Sequence, residues 1–199
     1  MSKLAVVTGG TKGIGRAIIE KLAASQFEVA TCSRNESEIE SLSQQIQSSY
    51  GVKVHGMKAD LSVKSQVGAF VAFVLALEKP VEILVNNAGL FLPGRVTDEA
   101  EGTLEKLIQT NLYSAYHVTR GLVGSMQKRK SGHIFNICSI ASLMAYPNGG
   151  SYTISKFALL GFSKSLREEL KPHQVRVTAV LPGATLTDSW KGTDLPEKR

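Results

Sequence analysis

A serine, a tyrosine and a lysine fall close together in this chain, at Ser139, Tyr152 and Lys156. From Tyr152 onward, apolar residues recur at Ile154, Phe157, Ala158, Gly161, Phe162 and Leu166, which is helical spacing. Tyr152 and Lys156, four positions apart, therefore share one face of a helix, about one turn from each other. A phenol ionises near pH 10 and is a poor acid or base at about pH 7. A lysine ammonium within ~4–6 Å favours the phenolate and lowers that value. Such a tyrosine can exchange a proton with a carbonyl or alcohol oxygen, and a serine hydroxyl can hold the same oxygen. Alone, this spacing more often describes a surface tyrosine and lysine on an amphipathic helix. The surrounding elements decide between the two readings.

The apolar run His133–Cys138, preceded by Gly132, reads as a buried strand. It puts Ser139 at a strand's carboxyl end, where ligands of parallel α/β sheets gather. At the other end of the chain, Leu4–Thr8 reads as a strand closed by glycines. Gly9, Gly13 and Gly15, with Thr11, Lys12 and Ile14 between them, form G-x-x-x-G-x-G before a helix at about 14–24. Missing side chains let backbone approach a pyrophosphate, and the helix N-terminus attracts its charge. The plainer reading is a tight strand-to-helix turn.

Glu28–Cys32 is the second strand, followed by Ser33, Arg34, Asn35 and a helix over about 36–49. In dinucleotide-binding folds this strand end meets the adenosine ribose, and an acidic residue takes the free 2′-hydroxyl. Here Ser33 and Arg34 stand instead, so Arg34 with Lys12 suits a 2′-phosphate. A solvated arginine in a turn is the competing account. Val52–Met57 is a third strand, and Asp60 or Ser62 could cap a helix over about 63–77. The fourth strand, Glu82–Val85, runs into Asn86-Asn87-Ala88-Gly89, which suits a cofactor site but also an ordinary turn. A long helical pattern over about 98–127, with a possible break at Gly102, holds Asn111, whose bland reading is a helix-surface amide. The Tyr152 helix ends near Lys171-Pro172, and Gln174–Val180 is the sixth strand. Six strands alternating with five helices predict an α/β fold in one domain, a doubly wound parallel sheet with helices on both faces.

Length and composition agree. The 199 residues suffice for one sizeable core, and 43% hydrophobic with 20% charged residues is ordinary for a globular domain. The formal net charge of +6 is scattered; its one tight run, Lys128-Arg129-Lys130, closes a predicted helix and complements the helix dipole. No aromatic residues interleave with it as on a nucleic-acid stacking platform, so no nucleic-acid partner is expected. Cys32 and Cys138 fall in predicted strands with no metal-like spacing. The N-terminus leads directly into a strand and no apolar run approaches the ~20 residues of a membrane helix. These features lead to the expectation of a cytoplasmic protein with neither metal nor membrane partner.

Taken together, the motifs resemble the short-chain dehydrogenases/reductases over nearly the whole chain. Thr8-Gly9-x-x-x-Gly13-x-Gly15 is similar to that family's cofactor motif, Asn86-Asn87-Ala88-Gly89 to its N-N-A-G, and Pro182-Gly183 to the P-G after its sixth strand. Asn111, Ser139, Tyr152 and Lys156 fall where its catalytic tetrad belongs. The resemblance implies a Rossmann-type, three-layer α/β/α fold and an NADP(H)-dependent oxidoreductase interconverting carbonyl and alcohol. Tyr152 would be the general acid/base. Lys156 would lower its pKa and hold the nicotinamide ribose, Ser139 would polarise the substrate oxygen, and Asn111 would support a relay water. Gly9, Thr11, Lys12, Gly13, Ile14, Gly15, Ser33, Arg34, Asn35, Asp60, Leu61, Asn87, Ala88, Gly89, Pro182, Gly183, Thr185 and Thr187 would contact the cofactor. Asp60 and Leu61 would border its adenine, and Thr185 or Thr187 would meet the nicotinamide amide. A homodimer or homotetramer is the expected assembly, and a small apolar carbonyl compound the expected substrate, lined by residues 90–95, 142–146 and 184 onward. The family usually continues beyond the P-G motif through another helix and a seventh strand, so a missing C-terminal part is expected here, with the sixth strand left as an exposed edge. The alternative reading is an NADP-binding sensor or scaffold on the same fold with little turnover; the Tyr/Lys pair, which binding alone does not need, speaks against it.

Overall fold

The computed structural model describes residues 3–183 and 185. Six strands, β1 (Lys3–Thr8), β2 (Phe27–Ser33), β3 (Val54–Lys58), β4 (Val81–Asn86), β5 (His133–Ile137) and β6 (Arg176–Val180), form one sheet in the order β3-β2-β1-β4-β5-β6. Every neighbouring pair is parallel. The helices are α1 (Gly13–Ala24), α2 (Glu36–Tyr50), α3 (Lys64–Leu75), α4 (Thr103–Ile108), α5 (Ser114–Arg129) and α6 (Gly150–Leu170). Among the described residues β6 ends the sheet.

The central strands β1 and β4 are largely apolar because both sheet faces are covered there, while the outer strands β3 and β6 are more mixed. Alternation along β1 assigns the sides. Leu4 and Val6 pack with Val67, Phe70 and Val74 of α3, Val118, Leu122 and Met126 of α5, and Leu166 and Leu170 of α6. Val7 packs the other way, with Ile19 and Ala23 of α1 and Leu42 and Ile46 of α2. Cys32 and Cys138 are free and buried, behaving as small apolar residues; burial pushes the Cys32 thiol up to about 12, against a backbone hydrogen bond at Gly9. The order of strands reverses between β1 and β4, the switch point at whose carboxyl ends open α/β sheets bind their ligands.

The long helix expected over 98–127 is corrected in two ways. Helix begins only at Thr103, because Gly102 is left-handed (φ 81) and residues 98–101 lie in turns and irregular backbone. It is then interrupted by a π-helical turn, Gln109–Tyr113, before continuing as α5. Such turns insert an extra residue into an α-helix and are frequent at functional sites. Among the described residues no helix is long and apolar enough to cross a membrane, and no cluster of three or more His, Cys, Asp or Glu could hold a metal ion.

Candidate active site

Ser139 leaves β5 in extended backbone and heads a short 3-10 turn, Ile140–Ser142. Its Oγ accepts from Ala141 N (3.1 Å), and its own N donates to Ser142 Oγ (3.2 Å), so a reciprocal cap fixes its position. Cys138 N donates to Val180 O (2.8 Å) and Ile140 N to Pro182 O (3.0 Å), which brings Pro182-Gly183 beside Ser139. Thr185 Oγ1 donates back to Gly183 O (3.2 Å); Thr187 lies outside the described residues.

Tyr152 is presented by the first turn of α6. That turn is anchored by Glu99, a residue the sequence reading did not single out. One Glu99 carboxylate oxygen accepts from Ser151 N (2.8 Å) and the other from the Ser151 hydroxyl. A carboxylate at a helix N-terminus satisfies otherwise unpaired N–H groups and complements the dipole. The Tyr152 ring meets Phe91 edge-on, with centroids 4.8 Å apart and planes at 84°. Phe91 and Glu99 flank the irregular segment after β4, so this loop sets both the helix and the ring.

Lys156 is buried at 7% exposure, and its Nζ donates to Ile137 O (2.9 Å) from 5.8 Å off the centroid of the Tyr152 ring. Burial pulls the lysine down to about 8, with the Cys138 thiol acting in the opposite direction. Burial likewise pushes the Tyr152 phenol above its ordinary value; a hydrogen bond with Ser139 opposes the rise and Cys138 adds to it. The spacing that puts Lys156 beside the tyrosine does not reveal this burial, and burial sets the direction here. In this pocket the cost of desolvating a phenolate exceeds what the neighbours return.

Asn111 lies in the π turn at 1% exposure, not on a helix surface. Its Oδ1 accepts from Leu90 N (2.7 Å), and its Nδ2 donates to Leu90 O (3.0 Å) and Ser155 Oγ (2.9 Å). It thereby clamps the loop after β4 to α6. A Cβ added to Gly89 would sit 3.4 Å from Asn111 Oδ1 and 3.8 Å from Lys156 Nζ, so these three residues converge.

The glycine loop is held against the end of β4 by Thr8 and Asn87. Thr8 Oγ1 accepts from Asn87 N and Ala88 N, both at 3.0 Å, and Asn87 Nδ2 donates to Thr8 O (3.0 Å) and Gly9 O (2.9 Å). Gly9 has φ +64, and a Cβ there would stand 3.1 Å from Ala88 Cα; a Cβ on Gly15 would stand 2.5 Å from Gly9 O. The glycines thus permit close approach of two strand ends. Thr8 belongs to the motif read from sequence, but its double acceptor role was not legible there. Gly13 opens α1 with φ 53, and Ile14 packs partly buried against the core shared by α1 and α2.

At the end of β2 the structure gathers Thr11, Lys12, Ser33 and Asn35. Thr11 Oγ1 lies 3.2 Å from Ser33 Oγ, and Asn35 Oδ1 caps α2 by accepting from Ser37 N (3.1 Å). Arg34 is exposed beside Asp60. Burial raises the Asp60 carboxyl, but bonds from the Ser62 hydroxyl and N–H and the Arg34 charge outweigh it and hold the group low. Asp60 therefore turns the chain into α3 through Ser62, at 2.9 Å to N and 2.7 Å to Oγ. The Leu61 side chain is buried in the core.

A family model described as short chain dehydrogenase matches residues 3–198. The chain is 35% identical to the 3-oxoacyl-[acyl-carrier-protein] reductase FabG of Aquifex aeolicus, over 94% of this chain and 75% of that protein. It is 32% identical to a 3alpha-hydroxysteroid dehydrogenase of Mediterraneibacter gnavus, over 94% and 75%. A metagenomic short-chain oxidoreductase crystallised with NADP superposes with a TM-score of 0.86 at 36% identity, over 92% of this chain and 82% of that one. The fold and the site define a Rossmann-type oxidoreductase. The chain belongs to the short-chain dehydrogenase family, as its motifs led one to expect.

Proposed function

We propose that this protein reduces the carbonyl of an apolar ketone, of the oxoacyl-thioester or oxosteroid kind, to an alcohol with NADPH. The observation that carries the reading is the convergence of Ser139, Tyr152 and Lys156 at the carboxyl end of β5, with the tyrosine hydrogen-bonded to the serine and the lysine buried behind its ring. A surface tyrosine and lysine would need neither burial nor the Glu99 anchor.

The donor chemistry suits a dinucleotide bearing a 2′-phosphate. Two cations, Lys12 and Arg34, and the hydroxyls of Thr11 and Ser33 cluster where no acidic residue follows β2 directly. Gly9, Gly13, Ile14 and Gly15 would carry the pyrophosphate, Asn35, Asp60 and Leu61 the adenosine, and Asn87, Ala88, Gly89, Pro182, Gly183, Thr185 and Thr187 the remainder. The bound cofactor supplies the hydride. Tyr152 gives its hydroxyl proton to the substrate oxygen, and its neutral form, favoured by burial, is the one a reduction needs. Ser139 holds that same oxygen, Lys156 orients the site and returns positive charge as the phenolate forms, and Asn111 supports the water that replaces the proton. The exposed apolar side chains of Leu143, Met144 and Tyr146 favour an apolar substrate over a sugar.

The names of the relatives support both substrate kinds. Loss of reduced-nicotinamide absorbance with oxoacyl thioesters, 3-oxosteroids and simple ketones tests the reading; binding of NADPH without turnover of any ketone would favour a sensor instead. Exposed Tyr113, Tyr116, Ile154 and Phe157 on and beside α5 and α6 support pairing of these helices in a homo-oligomer, which light scattering checks.

A further inference from the structure

Glu38 stands three residues beyond the cap of α2, a position where an acid needs only the helix dipole to be favourable. Its carboxylate does something else. It takes Lys12 Nζ at 2.7 Å, Thr11 Oγ1 at 2.9 Å and Asn35 Nδ2 at 3.1 Å. Two of these donors come from the glycine loop, across the crevice from its own helix. They are also the donors that a 2′-phosphate would use. The Glu38 side chain is 25% exposed, against 57% for Lys12, so the pair is partly shielded from water. The Lys12 bond, first, and those of Thr11 and Asn35 hold the carboxyl below its usual range despite some burial, so it is ionised at neutral pH.

We infer that Glu38 is an internal anion occupying part of the 2′-phosphate subsite, and that it sets how strongly this chain prefers NADPH over NADH. The inference rests on the cofactor reading above. A phosphate approaching Thr11 and Lys12 must displace the carboxylate or settle beside it, and like charges at contact distance oppose each other. A free 2′-hydroxyl meets no such opposition and can donate to the same carboxylate. Arg34 attracts phosphate from the β2 side while Glu38 resists it from the α2 side, so the preference is a difference between two opposed charges.

Calorimetric titration of the full chain with NADPH, NADH and adenosine 2′,5′-bisphosphate tests this without turnover. E38Q keeps the side-chain size and removes the charge. It should bind NADPH and the bisphosphate roughly tenfold more tightly, a change of about 1.4 kcal/mol, with NADH unchanged or weakened. E38D, which keeps the charge, should stay close to the parent protein, and circular dichroism confirms that both variants fold. Unchanged or weakened NADPH binding in E38Q overturns the inference alone, the weakened case meaning that Glu38 positions Lys12 for the phosphate. A parent protein that binds neither dinucleotide overturns the cofactor reading and the inference with it.

Discussion

Two lysines serve this site, and they live under opposite physical rules. Lys12 is 57% exposed and carries its charge in water, paired with Glu38. Lys156 is 7% exposed, donates to the Ile137 carbonyl, and is pulled down to about 8 by burial. An exposed cation is inexpensive, and its attraction for an anion is screened, worth at most about 1 kcal/mol for a surface pair. A buried cation is costly to keep charged, but any partner it gains is felt at low dielectric. On the proposed reading, recognition would fall to the wet lysine and chemistry to the dry one.

Tyr152→Phe should be the largest perturbation. The ring would keep its edge contact with Phe91 while the transferable proton is gone. Turnover should fall roughly 10²–10⁴-fold while NADPH affinity is retained; single-turnover kinetics and calorimetry read the two quantities, and a near-normal rate would end the assignment.

Lys156→Met breaks the dry side of the comparison. The folded value of about 8 lies below the ordinary 10.5, so between those values the unfolded chain binds more protons and stability must rise with pH. The full linkage is about 3 kcal/mol, absent below about pH 8 and regained toward 10.5. Denaturant titrations between about pH 7.5 and 10 should show a more positive slope in the parent protein than in Lys156→Met, whose own curve falls above about pH 9 as the buried Cys32 and Cys138 thiols resist ionisation, with the variant the more stable of the two at about pH 7. Parallel curves would mean that the lysine is not desolvated.

Asn87→Ala removes a clamp shared by the two regions. Thr8 O and Gly9 O would lose their donor, with a stability loss of about 1–3 kcal/mol and weaker cofactor binding. On the wet side, Arg34→Ala should weaken NADPH roughly tenfold and leave NADH nearly unchanged, whereas Lys12→Ala should matter less, since it removes a cation and releases Glu38 together. Raising the salt concentration should shrink both of these effects, and leave those at Tyr152 and Lys156 in place.

The six strands were legible because most are short apolar runs between turn residues, and Val52–Met57 alternates, a period that only a strand keeps. Their order was not, since nothing in a strand's own residues names its neighbours. Helix α6 was legible from its apolar period, and the break at Gly102 was offered by the glycine itself, but the π turn at Asn111 was not legible, because it is a local choice that an averaged period hides. In the site, Ser139, Tyr152 and Lys156 were found through residue type and spacing. Glu99 and Glu38 were missed for one reason: an acid near a helix start already has a sufficient local explanation, and its partners lie 52 and 27 residues away. The burial that raises Tyr152 was not legible, because spacing reveals a nearby charge but not the amount of water removed.

The π turn at Gln109–Tyr113 has a consequence for insertions and deletions. One extra residue per turn delays the helix's rotation by about 100° relative to an unbroken α-helix. Leu107 before the turn and Val118, Leu122 and Met126 after it are all buried, with Asn111 buried between them. The turn therefore works as a phase offset between two stretches of one rod. Deleting one neighbour of Asn111 there would restore a regular helix and, because the lost residue and the lost delay cancel, leave Leu107 and the α5 stripe facing the sheet, whereas a regular turn at unchanged length would put the two halves out of step. Between Gln109 and Tyr113 the loss of one neighbour of Asn111 should therefore disturb the fold less than substitution of Asn111 itself, whose amide holds Leu90 and Ser155.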